Sequence, residues 1–236
     1  MTAVDLQRDY YRTTAADYDA GHISVNEPEH DFALAWLKGM AVDLDLKSFL
    51  DVGAGTGRGM LQLQLQFPTA RVAGIEPVAE LRQKAHEKGV SPSSLIAGDA
   101  CRIPFADGEF DCVLALGVMH HLPASRAALR EMFRVARRAV FISDTNNFGC
   151  GPLPQRLFSH TLRAFGLWRI FQFVKNGFKP WKYSPGDGVH YSYSLFDDMP
   201  FLRALGSDCH LLTTRPSGPN PFWTASHIAV LAHKTR

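Results

Sequence analysis

Short apolar runs alternate with amphipathic stretches from Lys47 to Asp144, and this alternation is the main pattern of the chain. Five runs have the length and composition of buried strands: SFLDV (48–52), RVAGIE (71–76), SLIAG (94–98), FDCVLAL (110–116) and RAVFISD (138–144). Helical patterns begin between them near Met60, Val78 and Ser125. Strands and helices in this order predict successive βαβ units and a parallel sheet that is buried on both faces.

One run fits two structures. Residues 61–66, LQLQLQ, alternate as a half-exposed strand would, but Leu61 and Leu65 are also four residues apart, as are Leu63 and Phe67. The run follows a glycine-rich turn, where a βαβ unit needs a helix. We therefore predict a helix.

The regions before and after this alternation have other patterns. Residues 5–22 and 27–40 predict two helices, the second ending near Gly39, and they should form an N-terminal helical cover over 1–46. After the fifth strand, residues 145–193 are rich in aromatic residues, glycine and proline and show weak periodicity. An insertion of this kind is where a lid or an acceptor pocket would be built, and a packing elaboration is the alternative.

The end of the chain returns to regular elements. A helix near Leu195 to Leu205 and two strands, CHLLTTRP (209–216) and ASHIAVLAHK (225–234), should add a hairpin to the sheet. The sequence has no internal repeat or low-complexity linker. We therefore predict a single domain over 1–236, with an α/β fold and a doubly wound, mostly parallel seven-stranded sheet of Rossmann-like type that has an antiparallel last strand.

Glycines cluster directly after the first strand, in the stretch FLDVGAGTGRG, and the strand itself ends in Asp51. Gly53, Gly55 and Gly57 give a tight turn whose backbone can lie against a ligand at the N-terminus of the next helix. About 20 residues later the second strand ends at Glu76, whose carboxylate can accept hydrogen bonds from both hydroxyls of a ribose. Together these features predict a nucleotide-like ligand that contains ribose.

An NAD-linked oxidoreductase is the main alternative enzyme for such a turn. The dinucleotide fingerprint G-x-G-x-x-G, begun at Gly53, requires glycine at position 58, and this chain has Arg58 there. We also expect no second catalytic domain. The spacing therefore disfavours a dinucleotide.

Four stretches, taken in order, resemble the successive motifs of class I S-adenosylmethionine-dependent methyltransferases: LDVGAGTGRG, GIEP, AGDACRIPFADGEFDCVLALGVMHHL and EMFRVARRAVFISD. The terminal hairpin resembles the antiparallel last strand of the same family. The resemblance implies that S-adenosyl-L-methionine is the cofactor and that the chain is an enzyme, a methyltransferase that acts on a small-molecule acceptor.

The same resemblance implies cofactor contacts. Gly53, Gly55 and Gly57 would let the backbone approach the methionine part of the cofactor. Asp51 would hold its ammonium group, and Glu76 would bind its ribose. Further contacts would come from residues after the third and fourth strands and from two tyrosines of the N-terminal cover: Asp99, Ala100, Leu116, Gly117, Tyr11 and Tyr18. The alternatives are that the carboxylates cap helices and that the tyrosines pack between two helices.

Candidate catalytic residues lie at the carboxyl ends of the fourth and fifth strands, the edge at which open α/β sheets bind ligands. His120 or His121 could take a proton from an acceptor hydroxyl near neutral pH, and Asp144 could orient a histidine or bind that hydroxyl. A structural role is the alternative for each of the three. Acceptor contacts are expected in the insertion from His190, Tyr191 and Tyr193.

The acceptor is less well defined than the cofactor. The insertion supplies aromatic rings and hydroxyls, and its SPGDGVHYSYS stretch resembles segments of methyltransferases found beside carbohydrate-modifying enzymes. We therefore expect O-methylation of a sugar or of a glycosylated or other natural-product metabolite. Methylation of nitrogen or carbon is the alternative, as is a noncatalytic protein that binds S-adenosylmethionine.

Composition and charge narrow the setting. With 25 basic and 23 acidic residues, the net charge of +2 does not favour nucleic acid or a membrane as a partner. The sequence shows no secretory h-region, no run near the roughly 20 apolar residues of a membrane span, and four scattered cysteines. We expect a cytoplasmic protein of open oligomeric state. We expect no metal site, because the adjacent His120 and His121 do not readily chelate one ion and no carboxylate cluster accompanies them.

Overall fold

The computed structural model describes residues 1–19, 29–215 and 218–234. Among the described residues before the sheet, Ala3–Thr14 (α1) and Glu29–Asp43 (α2) form helices. The predicted helical segments fall partly on 20–28, which lie outside the described residues.

The prediction that α2 ends near Gly39 is wrong, because this helix continues to Asp43. Glycine inside a helix costs about 1 kcal/mol relative to alanine. Leu37 and Ala41, one turn apart, are both buried against the sheet. Burial of this last turn therefore outweighs the low helix propensity of Gly39.

Nine strands follow in chain order: Ser48–Val52 (β1), Arg71–Ile75 (β2), Leu95–Ile96 (β3), Phe110–Leu116 (β4), Ala136–Thr145 (β5), Trp181–Ser184 (β6), Gly188–Tyr191 (β7), Ser207–Thr213 (β8) and His227–Lys234 (β9). Seven of them form one sheet in the order β3-β2-β1-β4-β5-β9-β8, and β6 and β7 form a separate hairpin. The pairs among β1 to β5 are parallel, whereas β9 is antiparallel to both β5 and β8. The predicted seven-stranded α/β sheet with an antiparallel last strand is confirmed.

Three helices connect the parallel strands: Arg58–Gln66 (α3), Ala79–Glu87 (α4) and Ser125–Val135 (α5). The helix predicted for LQLQLQ is confirmed by α3, in which Leu63 is fully buried while Leu65 is 80% exposed. Alternate strand residues enter two apolar clusters, so that Leu114 packs with Leu63 in one cluster and Val113 packs in the other. The sheet is therefore buried on both faces, as the apolar runs predict.

Strand order reverses at β1, which has β2 on one side and β4 on the other. Loops that leave two such strands diverge to opposite faces of the sheet and open a crevice at its carboxyl edge. The glycine turn after β1 therefore lies beside Gly117, which follows β4.

The insertion contains more regular structure than its sequence suggests. Two helices, Leu153–Ala164 (α6) and Trp168–Lys175 (α7), lead into the β6–β7 hairpin, and Leu195–Ala204 (α8) returns the chain to the sheet. Within the described residues, every helix is too short or too polar to cross a membrane.

Candidate active site

The turn after β1 has a backbone conformation that favours glycine at three alternate positions. Gly53, Gly55 and Gly57 have φ of 74°, 54° and 78°, in the left-handed region that other residues rarely adopt. A Cβ on Gly53 would lie 2.7 Å from Val118, whereas a Cβ on Gly55 would meet only the Tyr18 hydroxyl, at 3.9 Å. Gly53 is thus required by packing, and Gly55 leaves free space above the turn.

A cavity of about 510 Å³ lies over this turn. Its walls come from the glycine turn, the ends of β1 and β4, both N-terminal helices, the insertion and the start of β9. The wall residues discussed below are Tyr11, Tyr18, His30, Asp51, Gly53, Gly55, Arg58, Leu116, Gly117, His120, His121, Thr145, Asp187, Arg215 and His227. Such a volume is within the usual range for a small-molecule site.

Two buried carboxylates lie next to the turn. Burial raises the pKa of Asp51 to about 7, and the charge of Glu76 adds to the effect. Burial also raises the pKa of Glu76 to about 7, although its carboxylate accepts hydrogen bonds from the backbone N–H groups of Gly55 at 3.0 Å and Val78 at 2.9 Å. A cation or a set of hydroxyl donors beside these carboxylates would favour their ionised forms.

Two histidines and two aspartates meet at the carboxyl ends of β4 and β5. His120 Nδ1 lies 2.7 Å from Asp144 Oδ1, and its Nε2 lies 3.6 Å from Asp187 Oδ2. His121 Nδ1 lies 2.7 Å from the Val189 carbonyl oxygen, and its Nε2 lies 3.4 Å from Asp187 Oδ1. An ionised carboxylate and a carbonyl only accept hydrogen bonds, so we assign a proton to both Nδ1 atoms; for His121 the Val189 carbonyl at 2.7 Å is nearer than the amide donor Gln7 Nε2 at 3.2 Å. Both Nε2 atoms then face Asp187.

The two histidines differ in charge at neutral pH. Burial lowers the pKa of His120, but Asp144 and Asp187 outweigh that effect and raise it to about 10. Burial, together with the neighbouring His120, lowers the pKa of His121 below its ordinary value of 6.5. Burial alone would raise the pKa of Asp144, yet His120 lowers it to about 2. His120 is therefore an imidazolium paired with Asp144, and His121 is neutral.

Helix α1 holds the segment that carries Asp187. The buried Gln7 donates a hydrogen bond from Nε2 to the Asp187 backbone oxygen at 3.2 Å, and its Oε1 accepts one from the backbone N–H of Val189. Gly188 between them has φ of 67°, and a Cβ there would clash with Gln7. The N-terminal cover thus fixes a residue of the insertion opposite the two histidines.

Comparison with known proteins identifies the family of the chain. Residues 50–142 match a family described as a methyltransferase domain. Over 155 residues, 63% of this chain, the sequence is 31% identical to a phosphatidylethanolamine N-methyltransferase of Cereibacter sphaeroides, and the match covers 71% of that protein. The chain belongs to the class I S-adenosylmethionine-dependent methyltransferases.

Other relatives of this methyltransferase match a shorter region. The chain is 34% identical over 89 residues to a demethylmenaquinone methyltransferase of Roseiflexus sp. (strain RS-1), and the match spans 37% of either chain. Two solved structures are similar over nearly their whole length. The DhpI-SAM-HEP complex has a TM-score of 0.65 at 18% identity, with 98% of this chain and 97% of that chain covered. Magnesium protoporphyrin IX methyltransferase (ChlM) of Synechocystis PCC 6803 has a TM-score of 0.62 at 16% identity, with 99% of this chain and 100% of that chain covered. At these identities the likeness shows the fold.

The methyltransferase has a site that fits S-adenosylmethionine, the cofactor of its family. The space above Gly55 is free for the ligand, and Asp51 presents a buried carboxylate to the same cavity. A carboxylate whose pKa is raised by burial gains most from a neighbouring ammonium group. Of the predicted cofactor residues, those that line the cavity are Tyr11, Tyr18, Asp51, Gly53, Gly55, Leu116 and Gly117.

Four predicted cofactor residues lie outside that lining. A Cβ on Gly57 would meet Val90 and Ala85, so this glycine serves the packing of α3 on its neighbours. The Glu76 carboxylate accepts a hydrogen bond from the backbone N–H of Gly55 in the turn. Asp99 accepts hydrogen bonds from Arg8 at 2.8 Å and from the backbone N–H of Cys101 at 2.9 Å. Ala100 follows it, and contacts of these residues with the ribose and adenine stay predictions.

The sequence left open whether Tyr11 and Tyr18 contact the cofactor or pack between helices, and their positions are compatible with both. Their rings are 5.7 Å apart in an edge arrangement, and the Tyr11 ring is 5.7 Å from that of His121. Both also pack against the buried Val78 and Leu81. The two tyrosines therefore belong to the cavity wall and to the packing of the cover.

The predicted catalytic and acceptor residues separate into groups. His120 and His121 line the cavity, whereas Asp144 is fully buried behind His120 and also accepts a hydrogen bond from the backbone N–H of Met119 at 2.7 Å. Asp144 therefore orients a histidine. Tyr191 and Tyr193 line a second cavity, of about 800 Å³, and His190 belongs to the lining of neither. Acceptor binding by these three residues stays a prediction.

Several polar residues of the site were missed by the sequence analysis. Asp187 lies within the SPGDGVHYSYS stretch, but it was not among the predicted site residues. His30, whose Nδ1 lies 3.1 Å from Ser143 Oγ, packs its ring 4.8 Å from that of His227. His30 and His227 come from opposite ends of the chain, so no local pattern joins them.

The same geometry changes the argument about metals. The expectation of no metal site rested on adjacent histidines without a carboxylate cluster. In the structure one carboxylate, that of Asp187, joins them, and a ligand atom from each of His120, His121 and Asp187 lies within 4.8 Å of the others. Asp144 and the Val189 carbonyl would then be the outer hydrogen-bond partners of the ligands. The absence of a metal stays a prediction.

Proposed function

We propose that this methyltransferase methylates a hydroxyl oxygen of a small acceptor bound in the 510 Å³ cavity. The observation that carries the proposal is a neutral His121, with Nε2 beside Asp187, on the wall of the cavity that also contains the glycine turn. When bound, S-adenosylmethionine supplies an activated methyl group on its sulfonium centre. The protein then has to align the acceptor and remove its proton.

His121 is the residue that takes the proton in this proposal. Its Nδ1–H is held by the Val189 carbonyl, so that Nε2, which lies 3.4 Å from Asp187 Oδ1, carries the lone pair that would accept the proton of the acceptor hydroxyl. Asp187 then stabilises the imidazolium that forms. His120, with its pKa raised to about 10, already carries a proton at neutral pH and cannot serve as the base. Its charge is compensated by Asp144 and helps to hold Asp187 in place.

Cofactor binding is assigned to the other wall. Asp51 binds the ammonium group, and the backbone of Gly53 and Gly55 lies against the methionine part. Glu76 binds the ribose. Adenine contacts are assigned to Asp99 and Ala100, as the family resemblance implies.

The lining of the cavity supports an acceptor with several hydroxyl groups, such as a sugar or a glycosylated metabolite. Donors and acceptors of hydrogen bonds surround it, from His30, Arg58, Thr145, Arg215 and His227. The named relatives act on chemically different small molecules, so they do not select one acceptor. A nitrogen acceptor is the second candidate, because the C. sphaeroides relative is named a phosphatidylethanolamine N-methyltransferase.

The test is formation of S-adenosylhomocysteine from S-adenosylmethionine with a panel of sugars, glycosides and amines. For the best acceptor, His121→Gln should lower kcat by about 10²–10⁴-fold, since general base catalysis contributes that much. Cofactor affinity should stay within about threefold. The matched control is His86→Gln, because His86 Nδ1 also contacts a backbone carbonyl, that of Val90 at 3.0 Å, but lies outside the cavity lining.

Three results would contradict parts of the proposal. Unchanged kcat in His121→Gln would remove the base. Turnover of amines alone would favour nitrogen as the acceptor atom. Loss of activity in a chelator, restored by one added divalent ion, would show that His120, His121 and Asp187 hold a metal instead of exchanging a proton.

A further inference from the structure

Exposed apolar side chains are concentrated on the helical hairpin of the insertion. Of the 16 large apolar residues that are exposed in the described chain, ten lie between 153 and 183. They are Leu153, Leu157, Phe158, Phe165, Leu167, Ile170, Phe173, Val174, Phe178 and Tyr183. Isolated exposed apolar residues are ordinary, but their concentration in one segment is typical of an interaction surface.

The two helices of the hairpin bury little of their surface against the rest of the protein. The only buried residue of α6 is Ser159, and α7 has none. Leu153 and Leu157 are four residues apart, and Ile170 lies three and four residues before Phe173 and Val174, so each set shares one face of its helix. We call the exposed apolar residues of α6, α7 and the turn to Phe178 the hairpin surface. This surface is apolar and exposed to solvent.

The charge of this segment is entirely positive. Between Asp144 and Asp187 the sequence has no acidic residue and six basic ones. The rest of the chain has 19 basic and 23 acidic residues, a net charge of −4. The insertion therefore stands out in charge as well as in exposure, although the total of +2 conceals it.

Two of the six cations are used inside the protein. Arg156 donates to the backbone oxygen of Trp223, and Arg163 pairs with Asp197 at 3.2 Å. The other four are exposed and lie beside or just after the hairpin surface: Arg169, Lys175, Lys179 and Lys182. An apolar face with flanking cations is the pattern of helices that lie in the interface of an anionic membrane.

We propose that the hairpin surface docks on a lipid bilayer that carries anionic headgroups, with its apolar side chains at the boundary of the acyl chains and the four cations among the headgroups. A bilayer satisfies both features at once, because its acyl boundary takes apolar side chains and its anionic headgroups attract cations. A second copy of this chain satisfies only one of them, since a two-fold interface would bring two identical sets of cations together. The surface requires no membrane-spanning helix, so the proposal departs from the sequence-based expectation of no membrane partner.

The test is sedimentation of the full chain with vesicles, which requires neither acceptor nor cofactor and so stands apart from the proposed reaction. We expect binding to vesicles of equal parts phosphatidylcholine and phosphatidylglycerol, weak binding to phosphatidylcholine alone, and weaker binding in 1 M salt. Two triple variants should each lose at least tenfold in affinity: Ile170→Ser with Phe173→Ser and Val174→Ser, and Lys175→Glu with Lys179→Glu and Lys182→Glu.

Matched controls are Leu65→Ser, an exposed apolar residue of α3, and Lys38→Glu, an exposed cation of α2. Both should bind vesicles as the wild type does, and all variants should keep wild-type circular dichroism. Absence of binding to the anionic vesicles would overturn the proposal. Full binding by the serine variant would overturn it as well, because charge alone would then explain adhesion. A dimer in light scattering that the serine variant abolishes would assign the surface to a second copy.

Discussion

The parallel sheet and the insertion differ in where their apolar residues lie: those of the sheet are buried, and many of those in the insertion are exposed. Strands β1, β4 and β5 are apolar because both of their faces are covered, and nearly every residue of β4 is buried. In α6 and α7 most of the large apolar side chains are exposed, and Ser159 is the one buried residue. The comparison teaches that apolar residues in this chain indicate a core only where an element has neighbours on that side.

The largest effect expected from this comparison is on stability. Phe141 in β5 is fully buried, whereas Phe165 in the hairpin is 74% exposed. Phe141→Ala should lower the free energy of unfolding by about 3–5 kcal/mol, because it removes a packed ring and leaves a cavity. Phe165→Ala should change it by less than about 0.5 kcal/mol. Urea denaturation measures both, and equal losses would mean that the hairpin is part of the core.

The next largest effect is on cofactor affinity, and it is seen by substituting two glycines that have similar backbone strain. Gly55 in the turn and Gly166 between α6 and α7 have φ of 54° and 70°, and neither has a close neighbour where a Cβ would be. Valine should cost similar stability at both positions, since the left-handed conformation costs about 1–2 kcal/mol. Only Gly55→Val should lose S-adenosylmethionine, by at least about 100-fold, because its side chain would fill the cofactor space. Calorimetric titration of both variants decides whether the turn is a binding site or only a tight connection.

The smallest effect expected concerns pH and the buried carboxylate of the turn. The pKa of Asp51 is raised to about 7, so in the cofactor-free protein this group stabilises the fold at low pH and loses that contribution as pH rises through 7. A bound ammonium group favours the ionised form. Cofactor affinity should therefore rise about fivefold from pH 6 to pH 7, below the range in which an α-amino group loses its proton.

Titration calorimetry at the two pH values, in buffers of different ionisation enthalpy, should also show proton release on binding. Asp51→Asn should reduce the slope, leaving the share of Glu76, whose pKa is raised in the same direction. Equal wild-type affinity at pH 6 and pH 7 would contradict the assignment of Asp51 to the ammonium group.

The fold could be predicted from sequence because its signals are local. Each of the first five strands is an apolar run bounded by polar or glycine residues, and the glycine turn fixes where the crevice opens. Even LQLQLQ, which alternates like a strand, could be assigned from its position after that turn. Gly39 shows the limit, since its place inside α2 depends on burial of Ala41 against a sheet that no local pattern reveals.

Only those site residues that stand in a recognisable local pattern, such as the end of a strand, could be predicted from the sequence. His120, His121 and Asp144 stand at strand ends, and the carboxyl edge of a parallel sheet is a known place for ligands. Asp187 was missed because its position depends on Gln7, 180 residues earlier in the chain. The different charges of the two histidines could not be predicted either, because they arise from the distances of both rings to Asp144 and Asp187.

The place of Asp187 has a consequence for how enzymes of this architecture can diversify. Every cavity-lining residue assigned to the cofactor precedes the insertion, while the carboxylate opposite the histidines lies within it. A lineage that exchanged this one segment would replace its acceptor wall, its surface and one member of its reactive cluster in a single genetic event, with the cofactor turn untouched. Substrate choice and proton handling would therefore be inherited together, as one unit.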